Sequence, residues 1–275
     1  MLGGVYFAFL KMASVKFMSQ PFCPQTRNLS IAWAEVFLKL LSPGAHEISP
    51  VMVQIEEFNR GSPIERQAIR TALDGSLSSA GLHSCHEVAS TIFPISLWNK
   101  RKASPKHTFD RFKRVWPRVQ RRDKANRRGM YFQRLCDYAP KGYSGEPINQ
   151  LEHIIHTFRD GNHRRSALQA IVFDPTRDHS NARQLGFPCL HQVGFIRTSN
   201  DGLEVVAYYS MQYGFDRAYG NYLGLCWLGE FMSRYMGKPL ERVTCISAVI
   251  QIGKTSKSRV RALERDLKRS LQNEE

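Results

Sequence analysis

The chain has 275 residues, of which 42% are hydrophobic, 11% aromatic and 23% charged. These proportions exclude collagen, a disordered tail protein and a small disulfide scaffold, and the length is sufficient for one large hydrophobic core. The formal net charge is +15, and because no apolar run reaches about 18 residues we expect no membrane partner.

Helices and strands are predicted along the chain after a loosely ordered leader over residues 1–25. Apolar residues at helical spacing predict helices, and alternating or continuous apolar runs predict strands. The predicted helices are Ile31–Leu41, Glu65–Leu82, Leu151–Arg159, Leu223–Met236 and Lys257–Leu271. The predicted strands are Val51–Glu56, Ala167–Phe173, Leu190–Ile196, Val205–Met211 and Val243–Ile252, with a short extended segment at Thr91–Pro94. Because no repeat or low-complexity linker separates them, we predict one α+β domain over residues 26–275.

The cysteines indicate a cellular compartment and argue against a metal site. The six are dispersed and none forms a CxxC pair, at Cys23, Cys85, Cys136, Cys189, Cys226 and Cys245. This spacing does not match zinc sites or thioredoxin-type redox motifs. We therefore expect reduced, mostly buried thiols in a cytoplasmic protein, and no bound metal.

Residues 100–134 form a strongly basic segment. It contains fourteen lysines and arginines but only two acidic residues, Asp110 and Asp123, so it supplies +12 of the net charge. One interpretation is an exposed basic helix that its aromatic residues attach to the core. A second is a surface for a nucleotide or a folate tail. The third is a nucleic-acid interface, in which Trp98, Phe109, Phe112 and Trp116 stack on bases.

Three segments carry residue types with recognisable chemistry. "HRRSALQAIVFDP" places Arg164 and Arg165 before a strand, and a guanidinium binds two phosphate oxygens at once. "FPCLHQVGF" places Cys189 after a proline, where a thiol is either a nucleophile or a buried structural group. "YYSMQYGFDRAYGNYLGLCWLGEFM" carries Asn221 before an apolar helix. Its amide suits either recognition of a base edge or a helix N-cap.

In this order the segments resemble the thymidylate synthase and pyrimidine hydroxymethylase superfamily, of which the chain would be a divergent member. "TIFPI", "GMYF" and "INQLEHIIHTF" resemble upstream segments of that family, so the resemblance covers about residues 90–252. It implies a thymidylate synthase-like fold, with a large mixed sheet, packed helices and a sheet face that forms a homodimer interface. It also implies that Arg164 and Arg165 of one subunit reach across this interface and bind the substrate phosphate in the site of the partner subunit.

The resemblance implies a reaction as well. Cys189 would add to C6 of a pyrimidine nucleotide, which activates C5 toward the one-carbon unit of 5,10-methylenetetrahydrofolate. Such a thiol needs a nearby cation to lower its pKa. Asn221 favours a uracil base, since cytosine-using relatives have aspartate at this position.

Further substrate and catalytic residues follow from the alignment with the family motifs. Tyr131 falls at the tyrosine of the Gly-x-x-Tyr turn, and Ser210 at the serine of the Arg-Ser-x-Asp strand end. Gln212 then takes the place of the family aspartate, at the cost of one inserted residue before Asn221. Asp216 offers a competing register for that aspartate, because it lies four residues before Gly220.

Several positions depart from the family pattern. The phosphate-binding arginine before the serine is Tyr209, and the histidine after the nucleophile is Leu190. His191 follows one place later and, on an alternating strand, faces away. The His-x-Tyr that holds the sugar falls on residues 251–253, which begin with Gln251. If another cation replaces the missing arginine, Arg217 and the basic segment are the first candidates.

Three functions are therefore considered. The preferred one is folate-dependent methylation or hydroxymethylation at C5 of a uridylate-type nucleotide, with Cys189 as nucleophile. The second is a divergent relative that binds a nucleotide without turnover, which the loss of the arginine at Tyr209 favours. The third, which only the basic segment supports, is modification of pyrimidines within nucleic acid.

Overall fold

The structure is a computed structural model that describes residues 21–181 and 188–272. Within these ranges the helices are α1 (Leu29–Leu41), α2 (Gln67–Ser79), α3 (Cys85–Ile92), α4 (Lys106–Arg122), α5 (Tyr131–Cys136), α6 (Gln150–Arg159), α7 (Pro175–Asp178), α8 (Tyr219–Met236) and α9 (Arg261–Gln272). The strands are β1 (Glu47–Ile48), β2 (Val51–Ile55), β3 (Phe58–Asn59), β4 (Ser62–Pro63), β5 (Gln169–Ile171), β6 (Leu190–Arg197), β7 (Leu203–Tyr209), β8 (Gln212–Tyr213), β9 (Leu240–Ser247) and β10 (Ile250–Gln251).

The main sheet has five strands in the order β2-β9-β7-β6-β5. β7 and β9 are parallel, while the other neighbouring pairs are antiparallel, so the sheet is mixed. A small sheet of order β1-β10-β8 continues from the end of β9, and β3 and β4 form a hairpin. Helices and a mixed sheet packed together confirm the predicted α+β class.

The two faces of the main sheet differ in what covers them. One face is buried as far as the edge strand β2, as the burial of its alternate residues Val51, Val53 and Ile55 shows. Residues that point the other way lie opposite one another in a row across the strands, through Met52, Ile246 and Tyr208. Tyr208 is 36% exposed, and Ile171 on the edge strand is 41% exposed. We call this second surface the open sheet face.

α8 lies in the core, because nearly all of its residues are buried on every side. A helix that is apolar all round is typical of such a position. Gly220 and Gly224 let α3 approach closely. A Cβ at Gly220 would lie 2.5 Å from the Val88 side chain, and one at Gly224 would lie 2.7 Å from the Ala89 carbonyl oxygen. This packing fixes the N-terminal end of α8, where Asn221 lies.

The predicted elements differ from the observed ones mainly at their ends. α8 begins at Tyr219 rather than Leu223, and the last long strand ends at Ser247 before a separate β10. The predicted extended segment at Thr91–Pro94 is wrong in its first half, because α3 continues to Ile92. Ser84 and Glu87 form a capping box that starts this helix.

The aromatic residues of the basic segment are part of the core. Phe109, Phe112 and Trp116 lie on the buried side of α4, and Trp98 is also buried. Phe112 packs edge-on against Phe132 with a centroid distance of 4.8 Å. The predicted stacking of these rings on bases is therefore wrong, since their faces are already covered by protein. What the segment presents to solvent is its charge.

Most of the predicted leader, residues 1–20, lies outside the described residues. Its last residues are attached to the sheet, since the backbone N–H of Met52 donates to the Phe22 carbonyl at 3.0 Å. In the part of the chain that the structure describes, no helix combines the length and the apolar character that crossing a bilayer requires.

Candidate active site

The chain around Cys189 brings two of the motif segments together. Cys189 immediately precedes β6, and its carbonyl accepts a hydrogen bond of 3.1 Å from the backbone N–H of Ser210. Leu190 lies opposite Tyr209 in the ladder between β6 and β7. The Pro-Cys segment and the end of the next strand are thus neighbours.

The thiol of Cys189 is partly exposed and lies beside a tyrosine and a cation. Tyr131, at the start of α5, accepts a 3.4 Å hydrogen bond from the Cys189 backbone N–H through its hydroxyl. Burial raises the pKa of the Cys189 thiol, and the guanidinium of Arg217 acts in the opposite direction. The expected cation is therefore present, but the expected net lowering of the thiol pKa is wrong for the free protein. Burial also raises the pKa of Tyr131.

Arg217 lies on a turn with unusual geometry. Residues Gly214–Ala218 form a π-helical turn that runs directly into α8. Such a wide turn holds one residue more than an α-helical turn and is frequent at functional sites. It lies between Gln212 and Asn221, where the family alignment requires one inserted residue.

Two hydrogen bonds, one from a side chain and one between backbone groups, hold the π-helical turn. The indole N–H of Trp33 donates to the Gly214 carbonyl at 2.8 Å, and the Phe215 N–H donates to the Ile252 carbonyl at 3.0 Å. Since Trp33 is fully buried in α1, the turn is fixed to the core. Arg217 is nevertheless exposed, so its guanidinium is accessible from solvent.

Asp216 is buried within this turn, and its carboxyl group lies close to Gly253. Burial raises the pKa of its carboxyl group, against the opposing effects of Arg217 and Lys254. A Cβ at Gly253 would lie 2.5 Å from its Oδ1, and Gly253 has φ +119°, so glycine is required there. The Asp216 carboxyl group thus occupies the space that a side chain at position 253 would need.

Four buried polar atoms in this region have no hydrogen-bond partner among the described residues. They are the hydroxyl oxygens of Tyr209 and Tyr222, Gln212 Oε1 and Asp216 Oδ1. Gln212 is held by its other end, since Nε2 donates to the Cys245 sulfur at 3.2 Å. Buried polar atoms are nearly always paired. A group of unpaired ones near the Cys189 thiol is therefore suited to a polar ligand.

Asn221 is the third residue of α8 and is 5% exposed. The N-cap residue is Ala218, and no side chain caps this helix, so the N-cap interpretation of Asn221 is wrong. No hydrogen bond of its amide is found within residues 21–181 and 188–272. The amide therefore remains available for a ligand.

Arg164 and Arg165 are exposed and lie far from Cys189 within one chain. They form a 3₁₀ turn before β5, not part of a strand. The Leu168 carbonyl accepts from the Phe195 N–H, and Phe195 is six residues along the strand from Cys189. At about 3.4 Å per residue, the arginine pair lies about 20 Å from the thiol. The structure does not bring it to the other predicted site residues.

Tyr209, Leu190 and His191 lie at the end of β7 and the start of β6. Tyr209 and Leu190 are fully buried. His191 stacks on Phe173 at 4.8 Å and lies 5.6 Å from the Tyr208 ring, on the open sheet face. It therefore points away from Cys189. No group of three metal-binding side chains occurs among the residues that the structure describes.

Sequence reasoning left two contributors out of the predicted site residues. Arg217 enters the sequence analysis only as a substitute cation, although among the described residues its charge is the one influence on Cys189 that opposes the effect of burial on the thiol pKa. Tyr222 was not singled out, because a tyrosine in an apolar helix gives no signal that its hydroxyl will be buried unpaired.

A scan against protein-family models and a search of curated proteins both found no match to the chain.

Replacing Arg217 by glutamine should slow alkylation of Cys189 by iodoacetamide about tenfold at pH 8, because a lost cation raises a thiol pKa by about one unit. The background should be Cys23→Ser, which removes an exposed thiol. Mass spectrometry locates the label on Cys189, and Arg217→Lys should retain most of the rate. Equal rates in Arg217→Gln and its parent would contradict the electrostatic role.

Proposed function

We propose that the protein transfers a one-carbon unit to C5 of a uridylate-type pyrimidine nucleotide, as a divergent relative of the thymidylate synthase superfamily. The observation that carries this proposal is the surroundings of Cys189. A partly exposed thiol lies beside Tyr131 and within electrostatic reach of Arg217, next to buried polar atoms that lack protein partners. These are the groups that addition to a pyrimidine ring requires.

The chemistry begins with the sulfur. The Cys189 thiolate forms a bond to C6, and the electron pair of the C5–C6 double bond moves toward O4, so that C5 becomes nucleophilic. C5 then bonds to the one-carbon unit. Loss of the C5 proton to a base or solvent breaks the bond between that carbon and the carrier nitrogen, so that the amine leaves. Water would then add to give a hydroxymethyl group, or a hydride from the tetrahydrofolate carrier to give a methyl group, and departure of the sulfur from C6 restores the ring. When bound, 5,10-methylenetetrahydrofolate supplies the one-carbon unit.

The protein's own residues have distinct tasks in this proposal. Arg217 stabilises the thiolate, and a substrate phosphate or ring oxygen is a second group that it can contact. Asn221 presents a buried amide that donates to O4 and accepts from N3–H of uracil. Asp216, whose carboxyl pKa is raised by burial, binds a proton more readily than an exposed aspartate and is the candidate for proton exchange with the substrate. No described residue is assigned to the folate.

The site would be completed by a second copy of the chain. Arg164 and Arg165 are exposed but lie about 20 Å from Cys189 in their own subunit, so they bind its substrate only from a partner. The open sheet face offers apolar residues for such contact, with Tyr208 and Ile171 exposed. We therefore include a homodimer with exchanged arginines in the proposal.

A second function is favoured by one observation. The pKa of Cys189 is raised by burial, so at neutral pH the free thiol is mostly protonated. A relative that binds the nucleotide without turnover would have this property. It differs from the first proposal only in whether a bound substrate and Arg217 ionise the sulfur.

Release of tritium from C5 separates the alternatives. The protein is incubated with dUMP, UMP, dCMP and CMP labelled at C5, with and without methylenetetrahydrofolate. We expect release from a uridylate, and release per chain should fall when dilution separates the two copies. Binding of a nucleotide without release would instead support the second function. Release from no nucleotide and binding of none would contradict both.

A further inference from the structure

The basic segment contains a row of arginines that the proposed reaction does not use. Several of its lysines, and Arg111 and Arg134, form contacts within the protein, and Arg114 Nε also donates to the Asp110 carbonyl one helical turn earlier at 3.4 Å. Lys106 pairs with Asp110 at 2.8 Å, and Lys113 pairs with Asp137 at 3.2 Å. Arg111 donates to the Leu97 carbonyl, and buried Arg134 pairs with Asp178. These contacts attach α4 and its neighbours to the fold.

Six other arginines of α4 and the following 3₁₀ turn are exposed and have no ion-pair partner among the described residues. They are Arg114, Arg118, Arg121, Arg122, Arg127 and Arg128. We call the four on α4, Arg114, Arg118, Arg121 and Arg122, the arginine row. Each of these guanidinium groups can bind two phosphate oxygens at once, which a lysine ammonium group cannot do with the same geometry.

The spacing of the arginine row is regular. Positions separated by three and four residues lie on one side of a helix, and at 1.5 Å per residue the row spans about 12 Å. One strand of a nucleic-acid duplex carries one phosphate per about 3.4 Å of axis, so about four phosphates occupy the same length. The arginine row therefore has a length comparable with a run of consecutive phosphates along one strand.

Repulsion among the like charges of the arginine row lowers the stability of α4. Like charges at i,i+4 and i,i+3 destabilise a helix by about 0.2–0.5 kcal/mol per pair, and Arg118 forms such pairs with Arg114 and Arg122. Only Arg121 and Arg122, in the last turn, are favoured by the helix dipole. A purely solvated helix face gives no reason to place four like charges together.

The surroundings of the row favour a duplex over other anionic partners. The apolar side of α4 is buried in the core, so no hydrophobic face remains to enter a lipid surface. Phe109, Phe112 and Trp116 are also covered, which removes the stacking that single strands and protein hot spots use. We propose that the arginine row binds the phosphate backbone of a double-stranded nucleic acid.

A salt titration of binding tests this proposal independently of any enzymatic activity. A short fluorescein-labelled DNA duplex is titrated with the full chain at several KCl concentrations, followed by fluorescence anisotropy. The variant R114Q/R118Q/R121Q/R122Q should bind at least about tenfold more weakly at low salt. The slope of log K against log salt should decrease in magnitude by about 3 to 4, since each lost phosphate contact contributes about 0.9.

A matched control changes the net charge by the same amount elsewhere. Arg259, Arg261, Arg265 and Arg269, at and in α9, are also exposed arginines. The variant R259Q/R261Q/R265Q/R269Q should retain the wild-type slope and lose less than about twofold in affinity. Circular dichroism melting of both variants verifies that the fold is intact.

Four results would overturn the proposal. They are equal weakening in the two variants, absence of duplex binding by the wild-type chain at low salt, tighter binding of a single strand than of the duplex, and binding only to phosphatidylserine vesicles. The test does not depend on the proposed transfer reaction, because its readout is binding alone. A chain that binds duplex through the row but releases no tritium would retain this inference and lose the other.

Discussion

Cys189→Ser should release tritium from C5 at least about a thousandfold more slowly than the wild-type chain, a loss of about 4 kcal/mol in transition-state stabilisation. A serine hydroxyl is a far weaker nucleophile than a thiolate, and neither Tyr131 nor Arg217 is a strong base that could activate it. The tritium assay on a uridylate measures the change directly. The substitution replaces sulfur by oxygen at a partly exposed position, so the fold should persist.

Cys23→Ser is the matched control, because Cys23 is an exposed thiol in a segment before α1. It should release tritium at the wild-type rate. Cys189→Ser should still bind the nucleotide, since the proposed contacts to the base and the phosphate come from Asn221 and arginines. Tritium release that survives in Cys189→Ser would refute the nucleophile, whatever else the site does.

The free energy of unfolding should fall steeply above about pH 8.5, the ordinary pKa of a cysteine thiol. Four thiols are buried, and burial raises the pKa of each of them in the folded chain, including that of Cys245 to about 12. The unfolded chain therefore loses these protons first as the pH rises. It then binds fewer protons than the folded chain, so the stability decreases with pH.

Each such thiol contributes up to about 1.4 kcal/mol per pH unit, so four together contribute about 5 kcal/mol per unit. This is comparable with the whole stability of a typical domain, about 5–15 kcal/mol. Urea denaturation in the presence of a reductant, at intervals between about pH 8 and pH 10, measures the decrease before unfolded tyrosines ionise extensively.

Cys226→Ala provides the control for this effect. Cys226 is fully buried in α8 and burial raises its pKa, so the substitution removes one of the four ionisations. The variant loses some packing at every pH, but its stability should depend less steeply on pH, by about 1.4 kcal/mol per unit. A slope equal to that of the wild-type chain would refute the role of the buried thiols.

The parts of the fold that the sequence predicted well are those with a long periodic signal. The helix predicted at Ile31–Leu41 is found at Leu29–Leu41, where Asn28 caps it. The helix at Leu151–Arg159 and the strand at Leu190–Ile196 are each found within one residue of their predicted ends. In these segments the apolar pattern and the end signals agree, so local preference and tertiary packing select the same structure.

Other features depend on contacts that a sequence does not contain. The π-helical turn over Gly214–Ala218 is held by Trp33, which is about 180 residues away in the chain. The pairing of β8 with β10 also joins distant segments. For the site, adjacency of Cys189 and Ser210 follows from two predicted neighbouring strands, whereas the raised pKa of the thiol follows from burial that only packing decides.

The strand order of the main sheet has a consequence for how the chain folds. β2 pairs through residues 51–55 with β9, at residues 240–247, and β9 also supplies the parallel partner of β7. Contacts of such large sequence separation slow folding. During synthesis on the ribosome, β2 stays without its neighbour until β9, at residues 240–247, has emerged. Its apolar residues are exposed meanwhile, and such transiently exposed apolar strands are the sites that aggregate or bind chaperones.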